Sequence, residues 1–169
     1  MKKRIFTFLL ALFVLAGGVC VKTESVFAYT DEQLYCADAL YFLNLIRGTG
    51  VSYDLDLDIT REQAVVILIR LLGKEGEVGK KKDTNPFKDV SGWAEEYIAY
   101  GYRTGLLKGV SKTEFAPLDK IDITMFSTFC LRALGYDDGE DGDFEYRQAP
   151  NFAESKGIKT DYVKGDYLR

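Results

Sequence analysis

Arg61 stands at an unusual place for a cation. It opens "DITREQAVVILIRLLGKE" (residues 58–75), an apolar run with a charged start. Thr60 and Gln63 have the spacing of a capping box: the hydroxyl accepts from the amide three residues on, and the glutamine reaches back. That part is structural. A cation in the first helical turn is not, because a helix N-terminus carries positive potential and favours an acid. An anion joining it reverses the sign. A guanidinium fork beside free first-turn amides makes a seat for a carboxylate. The other reading is a surface arginine paired with Asp58 or a neighbour, an arrangement that is common and worth little.

The remaining chemistry is sparse. The chain has no histidine, which removes the commonest general base and the commonest metal ligand. Glu95 and Glu96 are acids, but adjacent helical positions do not face each other. No nucleophile–base pair can be named, so the chain reads as no enzyme and implies no cofactor. "DDGEDGD" puts Asp137, Asp141 and Gly142 at three positions of a calcium loop. Position three is Gly139 and position twelve is Gln148, so the stretch reads as an acidic solvated linker and no metal site is assigned. Trp93, the single tryptophan, either stacks on a sugar face or anchors a core under Tyr97. Gly105 and Gly109 permit tight backbone turns. Lys108 projects between them, as a second cation for a polyanion or as a solvated lysine.

These residues need elements to position them. Helical periodicity and glycine stops predict helices over residues 31–46, 60–72, 92–104, 124–134 and 151–156, with a last one beginning near Gly165. The expected core faces are Leu34, Ala37, Tyr41 and Leu45; then Ala64, Ile67, Leu68, Leu71 and Leu72; then Trp93, Tyr97 and Tyr100; then Phe126, Phe129, Cys130 and Ala133. "VSYDLDLDIT" alternates, predicting an extended segment with Leu55, Leu57 and Ile59 on one side and Asp54, Asp56 and Asp58 on the other. Lys80, Lys81 and Lys82 lie in a polar hinge. Thr60 and Thr124 both precede apolar helices, and the endings "IRLLGKE" and "LRALGYD" are close copies, so the chain contains an internal repeat.

The second copy carries the most specific pattern: Phe87-Lys88-Asp89-Val90, Trp93-Ala94, Ile98, Gly105-Leu106-Leu107-Lys108-Gly109, Phe115-Ala116-Pro117 and Ile123-Thr124. In this order it resembles the S-layer homology (SLH) domain. The first copy is similar from its second half, where Thr60-Arg61-Glu62-Gln63 stands for the family's Thr-Arg-Ala-Glu. The resemblance implies an all-α fold of SLH-type helical repeats in a pseudo-threefold bundle, with residues 29–76 a partial first repeat, 77–136 the second, and 137–169 a linker with a truncated third. It also implies non-covalent binding of secondary cell wall polysaccharide, often pyruvylated, in grooves between repeats. On that basis Thr60, Arg61, Glu62, Trp93, Gly105, Lys108 and Gly109 are the candidate ligand residues. In the second copy the tetrad reads Thr124-Met125-Phe126-Ser127, without charge. In the third, residues 163–166 stand where the tetrad would be.

Residues 1–28 have a basic start, an apolar run over residues 5–21 and, in Val26-Phe27-Ala28, small or modest residues at the two positions a signal peptidase reads, the features of a cleaved secretory signal. The run is short for an uncleaved anchor of roughly 20 residues. Cleavage removes four cations and one acid, taking the formal charge from −4 to −7. An acidic protein is a poor nucleic-acid binder, and no membrane contact is expected after cleavage. The expected location is the Gram-positive cell surface. Rival roles are self-association or pairing with another SLH-bearing chain that completes the core, and a wall-active glycosidase. Cys36 and Cys130 are expected as small buried hydrophobes rather than a disulfide.

Overall fold

The structure is a computed structural model that describes residues 29–158 except Thr49 and Val51. The signal segment, the last expected helix and the tetrad at 163–166 lie outside the described residues. Within them there are five α-helices: α1 (Asp31–Phe42), α2 (Arg61–Leu71), α3 (Glu95–Arg103), α4 (Ile123–Ala133) and α5 (Ala149–Ser155). No described residue belongs to a sheet, and one isolated antiparallel bridge joins Thr60 to Lys120. The all-α expectation holds.

The core forms where α2, α3 and α4 meet. Ala64, Val65, Leu68 and Ile69 of α2 pack with Ile98 and Tyr100 of α3, with Phe129 of α4, and with Phe87, Leu107, Phe115 and Ile121 from the connecting segments. A smaller cluster of Leu131, Phe144, Ala149 and Ala153 joins α4 to α5. The α2 face differs from the expected one: Leu71 is exposed while Val65, Val66 and Ile69 are buried. Almost every position of α2 is apolar, so periodicity alone could not single out its buried side. α1 is the larger departure. It buries only Ala37 and leaves Leu34 and Tyr41 of the expected face exposed, together with Tyr35, Leu40 and Phe42. No described helix packs on it. Cys36 lies on its exposed surface, against expectation, whereas Cys130 is largely covered, and both are free thiols.

The extended segment before α2 is not a strand. A turn closes from the Leu57 amide to the Asp54 carbonyl at 3.0 Å, and Leu57 faces solvent. A lone alternating segment has no neighbour to complete its hydrogen bonds. Only its end pairs, where the Ile121 amide donates to the Ile59 carbonyl at 2.9 Å. The cap of α4 differs from the expected one. Asp122, not Thr124, is the N-cap, accepting from the Met125 amide at 2.7 Å. The matched endings place Asp122 where the first copy has Thr60, and Ile123 where it has Arg61.

One acid holds the turn that later shapes the site. Asp89 accepts from the amides of Phe115 (2.9 and 3.1 Å) and Ala116 (2.7 Å). Ala116 sits at φ 57°, a left-handed conformation costly for a side-chain-bearing residue. Burial pushes the Asp89 carboxyl up, but the two amides and the charge of Arg61 outweigh it and hold it below its ordinary value. A depressed folded value stabilises the fold above the ordinary carboxylate range and is lost as pH falls through the folded value. Asp89→Ala is therefore expected to cost about 1–2 kcal/mol at neutral pH, after allowing for solvent screening, and to cost less in acid. Denaturant titrations at pH 7 and pH 3 check this.

The two thiols differ as sharply. Burial pushes the Cys130 thiol up to about 11. At pH 8 an alkylating reagent is expected to label the exposed Cys36 rapidly and Cys130 only on unfolding, because burial both covers the Cys130 thiol and disfavours its reactive thiolate. Peptide mass analysis after timed labelling reads both.

Candidate functional site

The start of α2 forms the predicted capping box. Thr60 Oγ1 accepts from the Gln63 amide at 3.3 Å, and Gln63 Oε1 accepts from the Thr60 amide at 2.9 Å. The other first-turn amides are not free. The Arg61 amide donates to the Asp119 carbonyl at 2.9 Å and the Glu62 amide to the Pro117 carbonyl at 3.1 Å. The segment from Phe115 to Lys120 lies across the helix start and takes its donors. The expected anion seat made of free amides is absent, for that reason.

Arg61 itself is 4% exposed. Its Nε donates to the Phe115 carbonyl at 2.9 Å, and its Nη1 lies 3.3 Å from Met125 Sδ. The guanidinium carbon sits 4.6 Å from the Phe115 ring centroid and 5.6 Å from that of Phe129. Among the described residues no carboxylate forms an ion pair with it. Asp58, the alternative partner in the surface reading, pairs with Lys120 at 2.6 Å instead. Burial lowers the Arg61 value, while Tyr146, Asp119 and Asp122 act in the opposite sense. A guanidinium still remains charged. Arg61 is thus a buried cation held by a carbonyl and two ring faces, at the floor of a groove rather than on the surface.

The groove is a cavity of about 280 Å³ lined by Arg61, Lys108, Gly109, Met125, Phe129, Arg132, Asp138 and Tyr146, among others. Lys108 Nζ and Arg132 Nε both donate to Asp138 Oδ1, at 2.8 and 3.0 Å, and Arg132 Nη2 donates to Oδ2 at 2.5 Å. Burial pushes the Asp138 carboxyl up, but these two cations overcome it and bring it down to about 2. Three cations therefore face one carboxylate in a chain of net negative charge. Gly109 is required by packing. A Cβ there would meet Phe87 Cε1 and the Ser111 carbonyl oxygen at 2.4 Å and the Glu114 carbonyl oxygen at 2.5 Å.

The predicted site residues divide. Arg61, Lys108 and Gly109 line the groove, and Thr60 orders its floor. Glu62 and Trp93 form a separate neighbouring patch. Trp93 is 58% exposed and lies beside the buried Glu62, whose carboxyl burial raises above its ordinary value while the nearby indole N–H acts in the opposite sense. The exposed ring decides against a core anchor. Gly105 ends α3 at φ 76° and lies outside the groove lining. Sequence reasoning missed Arg132, Asp138 and Tyr146. The copied endings carried only part of the signal: they align Arg70 with Arg132, but the acid that pairs with Arg132 is Asp138, one residue past the copied stretch.

Comparisons with known proteins identify the family of one stretch of the chain. Residues 86–122 match the family model of the S-layer homology domain. The chain carries an SLH domain. The matched span supplies Lys108 and Gly109 of the groove, Phe115 under Arg61, Trp93 and the Asp89 clamp. Over 138 residues the chain is 33% identical to a "Cell surface protein" of Thermoanaerobacter kivui, covering 78% of this chain and 18% of that protein. Over 145 residues it is 32% identical to an "Endoglucanase" of Bacillus sp. (strain KSM-635), covering 80% of this chain and 15% of that protein. The chain thus spans less than a fifth of the length of either relative.

Replacing a buried charge by an apolar side chain of similar volume is often neutral or stabilising, whereas leaving a hole is not. Arg61→Met is expected to stay within about 1 kcal/mol of wild type, and Arg61→Ala to lose roughly 3 kcal/mol. Chemical denaturation measures both. Equal losses would mean that the charge, not the volume, holds α2 in place.

Proposed function

We propose that this chain anchors a secreted protein non-covalently to a Gram-positive cell surface by binding secondary cell wall polysaccharide. The carboxylate of an acidic sugar, most simply a pyruvyl ketal, pairs with Arg61. SLH domains are wall-anchoring modules, and the organisation consistent with that role is a signal peptide at 1–28, repeats over 29–76 and 77–136, and a linker with third-repeat residues over 137–169. The observation that carries the reading is Arg61: buried, lacking an acidic partner among the described residues, and opening into a cavity with excess positive charge. Such a cation is costly in a scaffold and is offset when an anion arrives. The exposed Trp93 ring beside Glu62 offers a stacking surface for further sugar. Gly105 acts at a distance, by ending α3.

Hydrolysis of a glycan ordinarily uses two carboxyl groups flanking one bond. The groove has only Asp138, tied to Arg132 and Lys108. Binding without turnover is the function this region supports, and the name of the endoglucanase relative concerns that protein. One observation favours a second reading, pairing with another SLH-bearing chain: the uncovered apolar side chains of α1. Size-exclusion chromatography of this chain, alone and mixed with a second SLH-bearing chain, separates the two, because a monomer in both runs at micromolar concentrations contradicts pairing.

Sedimentation with isolated wall polysaccharide tests the first reading. Wild type is expected to bind native polysaccharide. Arg61→Met, or mild acid removal of the ketal carboxylates, weakens binding about tenfold or more, as expected for losing a hydrogen bond to a charged group. Combining the two changes adds little. Equal binding by wild type and Arg61→Met contradicts the proposal.

A further inference from the structure

A helix-end arginine followed by an acid occurs twice in the described chain, and the two clasps are filled differently. In the first, Glu75 Oε1 accepts from Arg47 Nη2 (2.9 Å), Arg70 Nε (2.9 Å) and the Tyr97 hydroxyl (2.7 Å). Its Oε2 accepts from Arg47 Nη2 at 3.0 Å and from Asn44 Nδ2 at 3.5 Å. A carboxylate offers about four lone-pair positions, so Glu75 is saturated. In the second, Asp138 Oδ1 receives Lys108 and Arg132, but Oδ2 receives only Arg132 Nη2 among the described residues. No described tyrosine hydroxyl closes this clasp as Tyr97 closes the first. One acceptor position is left, on a carboxylate that lines the groove. Beside it, Lys108 has spent one of the three N–H donors of an ammonium on Asp138.

An unfilled acceptor next to unspent donors matches adjacent hydroxyl groups, each of which both donates and accepts. It does not match a second carboxylate, which Asp138 would repel. We infer that Asp138 and Lys108 receive vicinal hydroxyls of a neutral pyranose linked to the acidic sugar, so that the groove reads charge at Arg61 and hydroxyl pattern at the clasp. The inference rests on the polysaccharide reading above and adds the class of the neighbouring sugar. Asp138 is then a specificity-determining residue rather than only a structural pair.

Calorimetric titration of the full chain with native polysaccharide, and with polysaccharide stripped of its ketal carboxylates, tests it. Asp138→Asn is expected to weaken both by the same factor, about tenfold, whereas Arg61→Met weakens only the native form. Lys108→Met leaves the Arg132–Asp138 pair intact and is expected to weaken both in the same way, which keeps the test decisive if Asp138→Asn fails to fold. Tighter binding of native polysaccharide by Asp138→Asn would make Asp138 an internal stand-in for the ligand acid and overturn the inference. So would affinities equal to wild type in both variants, or a loss confined to the native form. Absence of wild-type binding to either polysaccharide overturns the polysaccharide reading along with this one.

Discussion

The buried guanidinium of Arg61 is the constraint around which the described structure is arranged. Desolvating a charge without a carboxylate partner costs several kcal/mol. The Phe115 carbonyl and the faces of Phe115 and Phe129 offset part of that cost. Each of these contacts fixes something else. Phe115 must lie across the start of α2, which is also why the first-turn amides are satisfied by the carbonyls of Pro117 and Asp119. Asp89 holds Phe115 and Ala116 from the other side. Phe129 commits α4 to the same face. Carboxylate, turn, arginine and groove thus form one dependent series, and a change at Asp89 reaches the groove without touching it.

An apolar side chain would do the packing part of this work at lower cost. The retained charge makes sense through the local field. The whole chain is acidic, yet three cations meet around one carboxylate in the groove. Low-dielectric walls concentrate such a field and favour an anion of the right shape over bulk counter-ions. The Asp138 clasp keeps Lys108 and Arg132 in fixed positions without cancelling them. Charge and orientation are therefore supplied by different residues, Arg61 for one and the clasp for the other.

Much of this was legible in the residues. The ordered landmarks from Phe87 to Pro117 announced the SLH domain, and glycine stops placed every described helix to within a few residues. Thr60 and Gln63 gave the capping box outright, because that motif is local. What failed was non-local. The helix alone implies free amides at the start of α2, but a distant segment, Phe115 to Lys120, takes them. The cap of α4 lies two residues before the threonine, because Asp122 caps as well as Thr124 would. Arg132 and Asp138 carry no local signal, since their meaning depends on meeting Lys108, some thirty residues from Asp138 along the chain. α1 reads as a core helix by pattern, but pattern cannot say whether anything packs against it.

The most direct test is to watch the Arg61 guanidinium itself. Its Nε–H resonance, held by the Phe115 carbonyl, can be assigned by comparison with Arg61→Met and followed by nuclear magnetic resonance during titration. The account predicts a saturable shift and slower solvent exchange at Arg61 with native polysaccharide, and no such change once the ketal carboxylates are removed. Binding of native polysaccharide that leaves the Arg61 resonance unmoved would contradict it.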